Sequence, residues 1–177
     1  MRLNCHTTNR LQIALDVETT GLSPLRGERV IEIGAVAIYD RRVIAEFQSL
    51  INTEKRVSSS ARRVHGISDE MRTGQPKPDE VFSSFRDFIG EGVLVAHNAP
   101  FDQGFLRHEF ARLGMELINP FFCTLELSRE RFPRLRDHKL QTVYRHLCRE
   151  PERAIQPHRA LDDARMVAQI WVELIKG

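Results

Sequence analysis

Apolar and polar positions alternate from Leu11 to Glu18, with Leu11, Ile13, Leu15 and Val17 on one side and Gln12, Ala14, Asp16 and Glu18 on the other. A period of two predicts a strand. Val30 to Tyr39 is apolar on both faces, as a central strand should be. After a tight Asp40-Arg41-Arg42 turn, Val43, Ala45 and Phe47 alternate with Ile44, Glu46 and Gln48, so these two segments read as an antiparallel hairpin. The period then lengthens. Ser58 to His65 reads as a short helix, and Pro78 to Phe88 as a longer one with Val81, Phe82, Phe85 and Phe88 on one side.

Val93 to Ala96 is a short buried strand, followed by a helix from about Pro100 to Leu113. Pro100 suits its first turn and Gly114 its end. Phe121 to Thr124 is a candidate fifth strand. Helices are expected near Leu125–Phe132 and Leu140–Leu147, then a loop rich in Pro and Arg, then a last helix from about Arg159 to Ile175. No repeat or low-complexity run interrupts this order, so residues 1–177 are expected to form a single domain. Three antiparallel-leaning strands, two more strands and interleaved helices predict an α/β domain with a mixed five-stranded sheet and flanking helices.

Composition narrows the class. Lys and Arg total 26 against 24 Asp and Glu, a formal charge of +2, which excludes a histone-like tail or a polybasic membrane anchor. Hydrophobic content of 41% with 28% charged excludes a disordered chain. Cys5, Cys123 and Cys148 are odd in number and widely spaced; they fit neither a disulfide framework nor a zinc knuckle and suit a reducing compartment. Met1 to Arg10 lacks the apolar core of a signal peptide, and Ile33 to Tyr39, the most apolar stretch, is too short for a bilayer. A soluble, cytoplasmic protein with no membrane partner is the expectation.

The acids carry the candidate chemistry. Asp16 and Glu18 point to one face of the first strand, where two neighbouring carboxylates repel unless a cation lies between them. A hard divalent ion such as Mg²⁺ is the natural partner. Spacing alone is equally the pattern of solvated strand-end charges, since roughly one such pair arises by chance in a chain of this acid content. Thr19-Thr20-Gly21-Leu22 follows, small and flexible enough for a ligand to approach the backbone, although an ordinary turn has the same composition.

Asp102 falls in the first turn of the helix after the Val93 strand, a routine place for an acid. It also shares a face with Phe105 and Leu106, and a carboxylate on a packed face needs a partner. At the start of the last helix, Asp163 aligns with Val167, Ile170 and Leu174, whereas Asp162 aligns with Met166, Gln169 and Glu173. Helical spacing therefore turns Asp163 inward and Asp162 toward water. His158 precedes that helix, where it could swing over a site. Four inward carboxylates and one histidine suit a scheme in which two divalent ions about 4 Å apart clamp a phosphodiester while a general base takes a proton from water.

Three stretches then resemble a known family. Asp16-Val17-Glu18-Thr19-Thr20-Gly21-Leu22, His97-Asn98-Ala99-Pro100-Phe101-Asp102 and His158-Arg159-Ala160-Leu161-Asp162-Asp163-Ala164 resemble the three motifs of the DEDDh (DnaQ-like) exonuclease superfamily, in order and spacing, over about residues 11 to 175. That superfamily includes the proofreading epsilon subunit of bacterial DNA polymerase III, ribonuclease T and oligoribonuclease. Val64-His65-Gly66-Ile67 followed by Met71 resembles its substrate-side loop. The resemblance implies a ribonuclease H-like fold and 3′→5′ hydrolysis of nucleic acid to nucleoside 5′-monophosphates. It implies two Mg²⁺ or Mn²⁺ ions held by Asp16, Glu18, Asp102 and Asp163, with His158 as general base. By the same resemblance Thr19 through Leu22, with His65 and Asn98, would hold a single-stranded or 3′-terminal nucleotide. Cys123 departs from the pattern, standing where the family often has an acid before Thr-Leu.

No tail or clamp-binding peptide for a polymerase subunit is recognisable, so a stand-alone exonuclease fits as well as a replicase subunit. The most basic segment, Ser128 to Lys139, carries Arg129, Arg131, Arg134, Arg136 and Lys139, and reads either as a phosphate-tracking rim or as a solvated surface. A proofreading-like deoxyribonuclease is the favoured reading. An exoribonuclease of the ribonuclease T or oligoribonuclease type, and a non-catalytic nucleic-acid-binding or polymerase accessory domain, are its alternatives.

Overall fold

A computed structural model describes residues 10–148 and 158–176. The Pro- and Arg-rich loop expected before the last helix lies outside the described residues, as does nearly all of the N-terminal stretch. Five strands form one mixed sheet in the order β3-β2-β1-β4-β5, with β1 at Gln12–Thr19, β2 at Val30–Tyr39, β3 at Arg42–Leu50, β4 at Val93–Ala96 and β5 at Phe121–Cys123. β1 and β3 both run antiparallel to β2, whereas β4 runs parallel to β1 and to β5. The hairpin turn is two residues rather than three. Asp40 and Arg41 both have positive φ, 47° and 61°, as a turn matching the twist of its strands requires, and Arg42 already pairs with Tyr39.

The helices are α1 (Ser59–His65), α2 (Asp69–Arg72), α3 (Pro78–Ile89), α4 (Ala99–Arg112), α5 (Thr124–Arg131), α6 (Leu140–Leu147) and α7 (Ala160–Ile175). Four-residue α2 is absent from the sequence expectation, because so short a segment shows no periodicity. Gly114, with φ 68°, closes the end of α4 as anticipated.

Two layers cover the sheet. Ile13, Leu15 and Val17 of β1 pack with Phe82 and Phe85 of α3 and with Phe105, Leu106 and Phe110 of α4. Ala14, Val36 and Val95 point the other way, against Ala164, Val167, Ala168 and Trp171 of α7. Both faces of β1 are therefore covered, so its polar alternation faces a second layer rather than water. Gln12 is wholly buried, and its Oε1 accepts the Trp171 indole N–H at 2.7 Å, which satisfies two groups that burial would otherwise strand.

α6 covers the outer flank of α7, where Val143 and Tyr144 meet Met166, Ile170 and Leu174. Met166, assigned to the polar side by helical spacing, is consequently buried, because a helix pressed between a sheet and another helix needs an apolar stripe wider than one face.

Candidate active site

Pairing between β1 and β4 stops at Ala14 and Val95, so among the described residues the end of β1 has no strand on that side. The open edge is where the acids meet. Asp16 and Glu18 share the α7-facing side of β1, as period two demands. Asp102, in the first turn of α4, is buried, and its Oδ1 accepts the Val17 N–H at 3.2 Å, a donor the truncated ladder leaves over. Asp163, in the first turn of α7, is buried as well, and its Oδ2 accepts the His158 N–H at 3.1 Å. Carboxylate oxygens of Glu18 and Asp163 and a ring nitrogen of His158 all lie within 4.8 Å of one another. Asp162 instead sits at the surface, paired with Arg165 at 3.0 Å.

Burial and crowding act on the acids in one direction. Burial, followed by the charges of Asp102, Glu18 and Asp163, raises the Asp16 carboxyl well above the ordinary range. Burial pushes Glu18 up to about 8, with Asp163, Glu32 and Asp102 adding to the shift and Arg159 opposing it. Asp102 rises to about 8 through burial, against the pull of its backbone donors, and Asp163 rises to about 6 for the same first cause. Arg159 offsets this mutual repulsion only in part. Buried Asp163 Oδ1 has no hydrogen-bond partner among the described residues. Oxygen donors with one imidazole, a stranded carboxylate oxygen and the repulsion that remains together fit a hard divalent cation.

Two buried glutamates, which the sequence reading did not single out, anchor the helices that deliver these acids. Glu109 of α4 takes both arms of the Arg29 guanidinium, at 2.7 and 2.8 Å, and the Val30 N–H at 3.1 Å, tying α4 to the start of β2. Glu32, directly across the ladder from Glu18, binds Arg159 and the Ala160 N–H at the start of α7. The signal for Glu32 was a lone charge inside the apolar run Val30 to Tyr39.

The expected substrate-side residues separate into two groups. Leu22 is 87% exposed on the loop after β1, and Asn98 is exposed at the start of α4 with φ 71°. Thr19 and His65 are turned inward. The Thr19 hydroxyl donates to the Gly21 carbonyl at 2.6 Å, and His65 accepts the Ile67 N–H on Nδ1 and donates from Nε2 to the Thr19 carbonyl. Burial lowers the pKa of His65, which suits this neutral tautomer. In the basic segment, Arg131 donates to the Leu174 carbonyl at 2.7 Å, at the end of α7 remote from Asp163, so this side chain lies away from the acids.

A family model for exonucleases matches residues 13–171. The chain belongs to the exonuclease family. Its relatives include the PolC-type DNA polymerase III of Bacillus cereus, 39% identical over 165 residues that make up 93% of this chain and 11% of the polymerase. The exonuclease domain thus spans about a tenth of the length of such relatives. Among solved structures, it resembles exonuclease X in complex with 5′-overhanging duplex DNA, at 24% identity and a TM-score of 0.75, covering 93% of this chain and 90% of that one. It also resembles the nuclease domain of 3′hExo, a DEDDh family member bound to rAMP, at 16% identity and a TM-score of 0.78, covering 95% and 92%. The fold is the ribonuclease H-like fold of DEDDh exonucleases, a family that depends on divalent metal. Among the described residues no helix is long and apolar enough to cross a membrane.

Proposed function

We propose that the exonuclease domain hydrolyses DNA from its 3′ end to nucleoside 5′-monophosphates in the manner of a proofreading subunit, using two Mg²⁺ or Mn²⁺ ions. The observation that carries this reading is the gathering of Glu18, His158 and Asp163 within 4.8 Å, beside Asp16 and Asp102, at the open end of β1. The preference for DNA is supported by likeness to a DNA polymerase. A cytoplasmic place, alone or within a polymerase assembly, belongs to the same proposal and is supported by that likeness.

Asp16, Glu18, Asp102 and Asp163 would hold the ions. Bound there, divalent cations would neutralise the phosphodiester and lower the pKa of the attacking water. His158 is exposed, so a water can reach it, and its backbone tie to Asp163 keeps it beside the acids. It would take the water's proton as the water oxygen attacks phosphorus, while the P–O3′ bond breaks and the 3′ oxygen of the shortened strand leaves and takes a proton from solvent. Exposed Leu22 and Asn98 would meet the terminal nucleotide, while Thr19 and His65 would shape the turn that presents Leu22.

Matched DNA and RNA oligomers of one sequence, incubated with Mg²⁺ or Mn²⁺, test the proposal. Stepwise shortening of DNA from its 3′ end, abolished by a chelator, is expected. Faster shortening of RNA would make the domain an exoribonuclease. Binding without any cleavage would leave only a nucleic-acid-binding domain.

A further inference from the structure

Glu32 is wholly buried in β2, yet its carboxylate is fully engaged. Arg159 Nη2 donates to Oε1 at 2.7 Å, and Arg159 Nε lies 3.2 Å from each oxygen. The Ala160 N–H donates to Oε2 at 3.1 Å, and Gln48 Nε2 to Oε1 at 3.1 Å. Such occupancy sets Glu32 apart from Asp163, whose Oδ1 has no partner among the described residues. Glu32 also stands directly opposite Glu18 and adds its charge to a site already crowded with carboxylates. An apolar residue would fill this place in the strand without that repulsion, so a purely packing role does not account for it.

The partners of Glu32 explain its place. Arg159 and Ala160 lie between His158 and Asp163, the two residues that the entry and first turn of α7 bring to Glu18. His158 has φ 66°, a left-handed conformation that a non-glycine residue keeps only where its surroundings hold it. We propose that Glu32 is a positioning residue: through Arg159 and the Ala160 amide it fixes the entry into α7, so that His158 and Asp163 face Glu18. This rests on the reading of those three as part of the ion-binding, proton-accepting set.

Glu32→Gln and Arg159→Lys test the clamp, singly and together, since truncating Arg159 outright would leave a buried charge unpaired. Three experiments are run: Mn²⁺ binding by calorimetry without nucleic acid, amide exchange from Ala160 to Ala164, and steady-state kinetics giving kcat and KM on a single-stranded DNA oligomer. Each variant is expected to weaken Mn²⁺ binding and lower kcat by roughly 10- to 100-fold, the scale of lost support around a metal ligand, with KM little changed. Exchange in the first turn of α7 should accelerate. Arg159→Lys should be the milder, keeping the charge but not the fork, and the double variant should be little worse than Glu32→Gln.

Unchanged Mn²⁺ binding and exchange in Glu32→Gln would overturn the proposal, as would fully additive losses. A raised KM at unchanged kcat in Arg159→Lys would assign that side chain to the substrate instead. If Glu32→Gln does not fold, Arg159→Lys carries the test, because its side chain is 30% exposed. A parent protein that neither binds Mn²⁺ nor cleaves DNA would sink the functional reading, and amide exchange alone would then judge the clamp.

Discussion

Gly34 lies against Leu161 so closely that a Cβ on the glycine would stand 2.2 Å from the Leu161 amide nitrogen. Gly34 pairs across the ladder with Asp16, so the missing side chain lets the first turn of α7 settle directly beside the acid. Backbone cannot yield as a flexible side chain can. Gly34→Ala should destabilise the fold by about 1–3 kcal/mol, the scale of an overpacked site, and push Asp163 away from Glu18. Thermal melts and Mn²⁺ titration of one variant check both effects; a parental melting temperature with parental Mn²⁺ affinity would show that α7 is not seated by this glycine.

Deprotonation of the buried acids should make the metal-free protein less stable as pH rises. Glu18 and Asp102 titrate at about 8 and Asp163 at about 6 in the folded state, above the range of about 4 expected when unfolded. The folded chain therefore holds more protons between these limits. The stability contributed by the protonated carboxyls is complete below the unfolded values and is lost as pH climbs through 6 and then 8. Melting in chelator should fall across that window. Added Mn²⁺ should reverse the trend by binding the native state, with a larger gain at the alkaline end. Equal Mn²⁺ stabilisation at both ends would contradict the predicted competition between protons and metal.

Replacing His158 separates a base from a ligand. Asn tolerates the positive φ at this position and keeps the backbone bond to Asp163. His158→Asn should lose roughly 10²–10⁴-fold in turnover while Mn²⁺ binding stays close to the parent. Loss of Mn²⁺ affinity on calorimetry would make His158 a ligand.

Asp162 and Asp163 are adjacent in the first turn of α7 but differ in burial and in partners. Asp162 pairs with Arg165 at the surface, and such exposed pairs contribute little. Asp162→Ala should stay within a few-fold of parental activity. Asp163→Asn removes a charge from the cluster and should cost about 10²-fold or more in turnover together with Mn²⁺ affinity. Its metal-free melting temperature at pH about 8 should rise, because one repelling carboxylate is gone. An inactive Asp162→Ala beside a healthy Asp163→Asn would reverse the assignment.

Periodicity decided much of this protein. Alternation placed Asp16 and Glu18 on one face of β1, and the stripe of Val167, Ile170 and Leu174 chose Asp163 over its neighbour. Both follow because a side chain's direction within one strand or helix depends only on the repeat of that element. Tertiary structure decided what stands across from each face. The polar side of β1 is buried because α7 covers it, and the raised carboxyl pKa values follow from that burial. Glu32 and Arg159, 127 residues apart, meet only because α7 returns over β2, and Gly34 is the gap that admits its backbone. No local repeat encodes such a meeting, since it depends on how two separate elements pack.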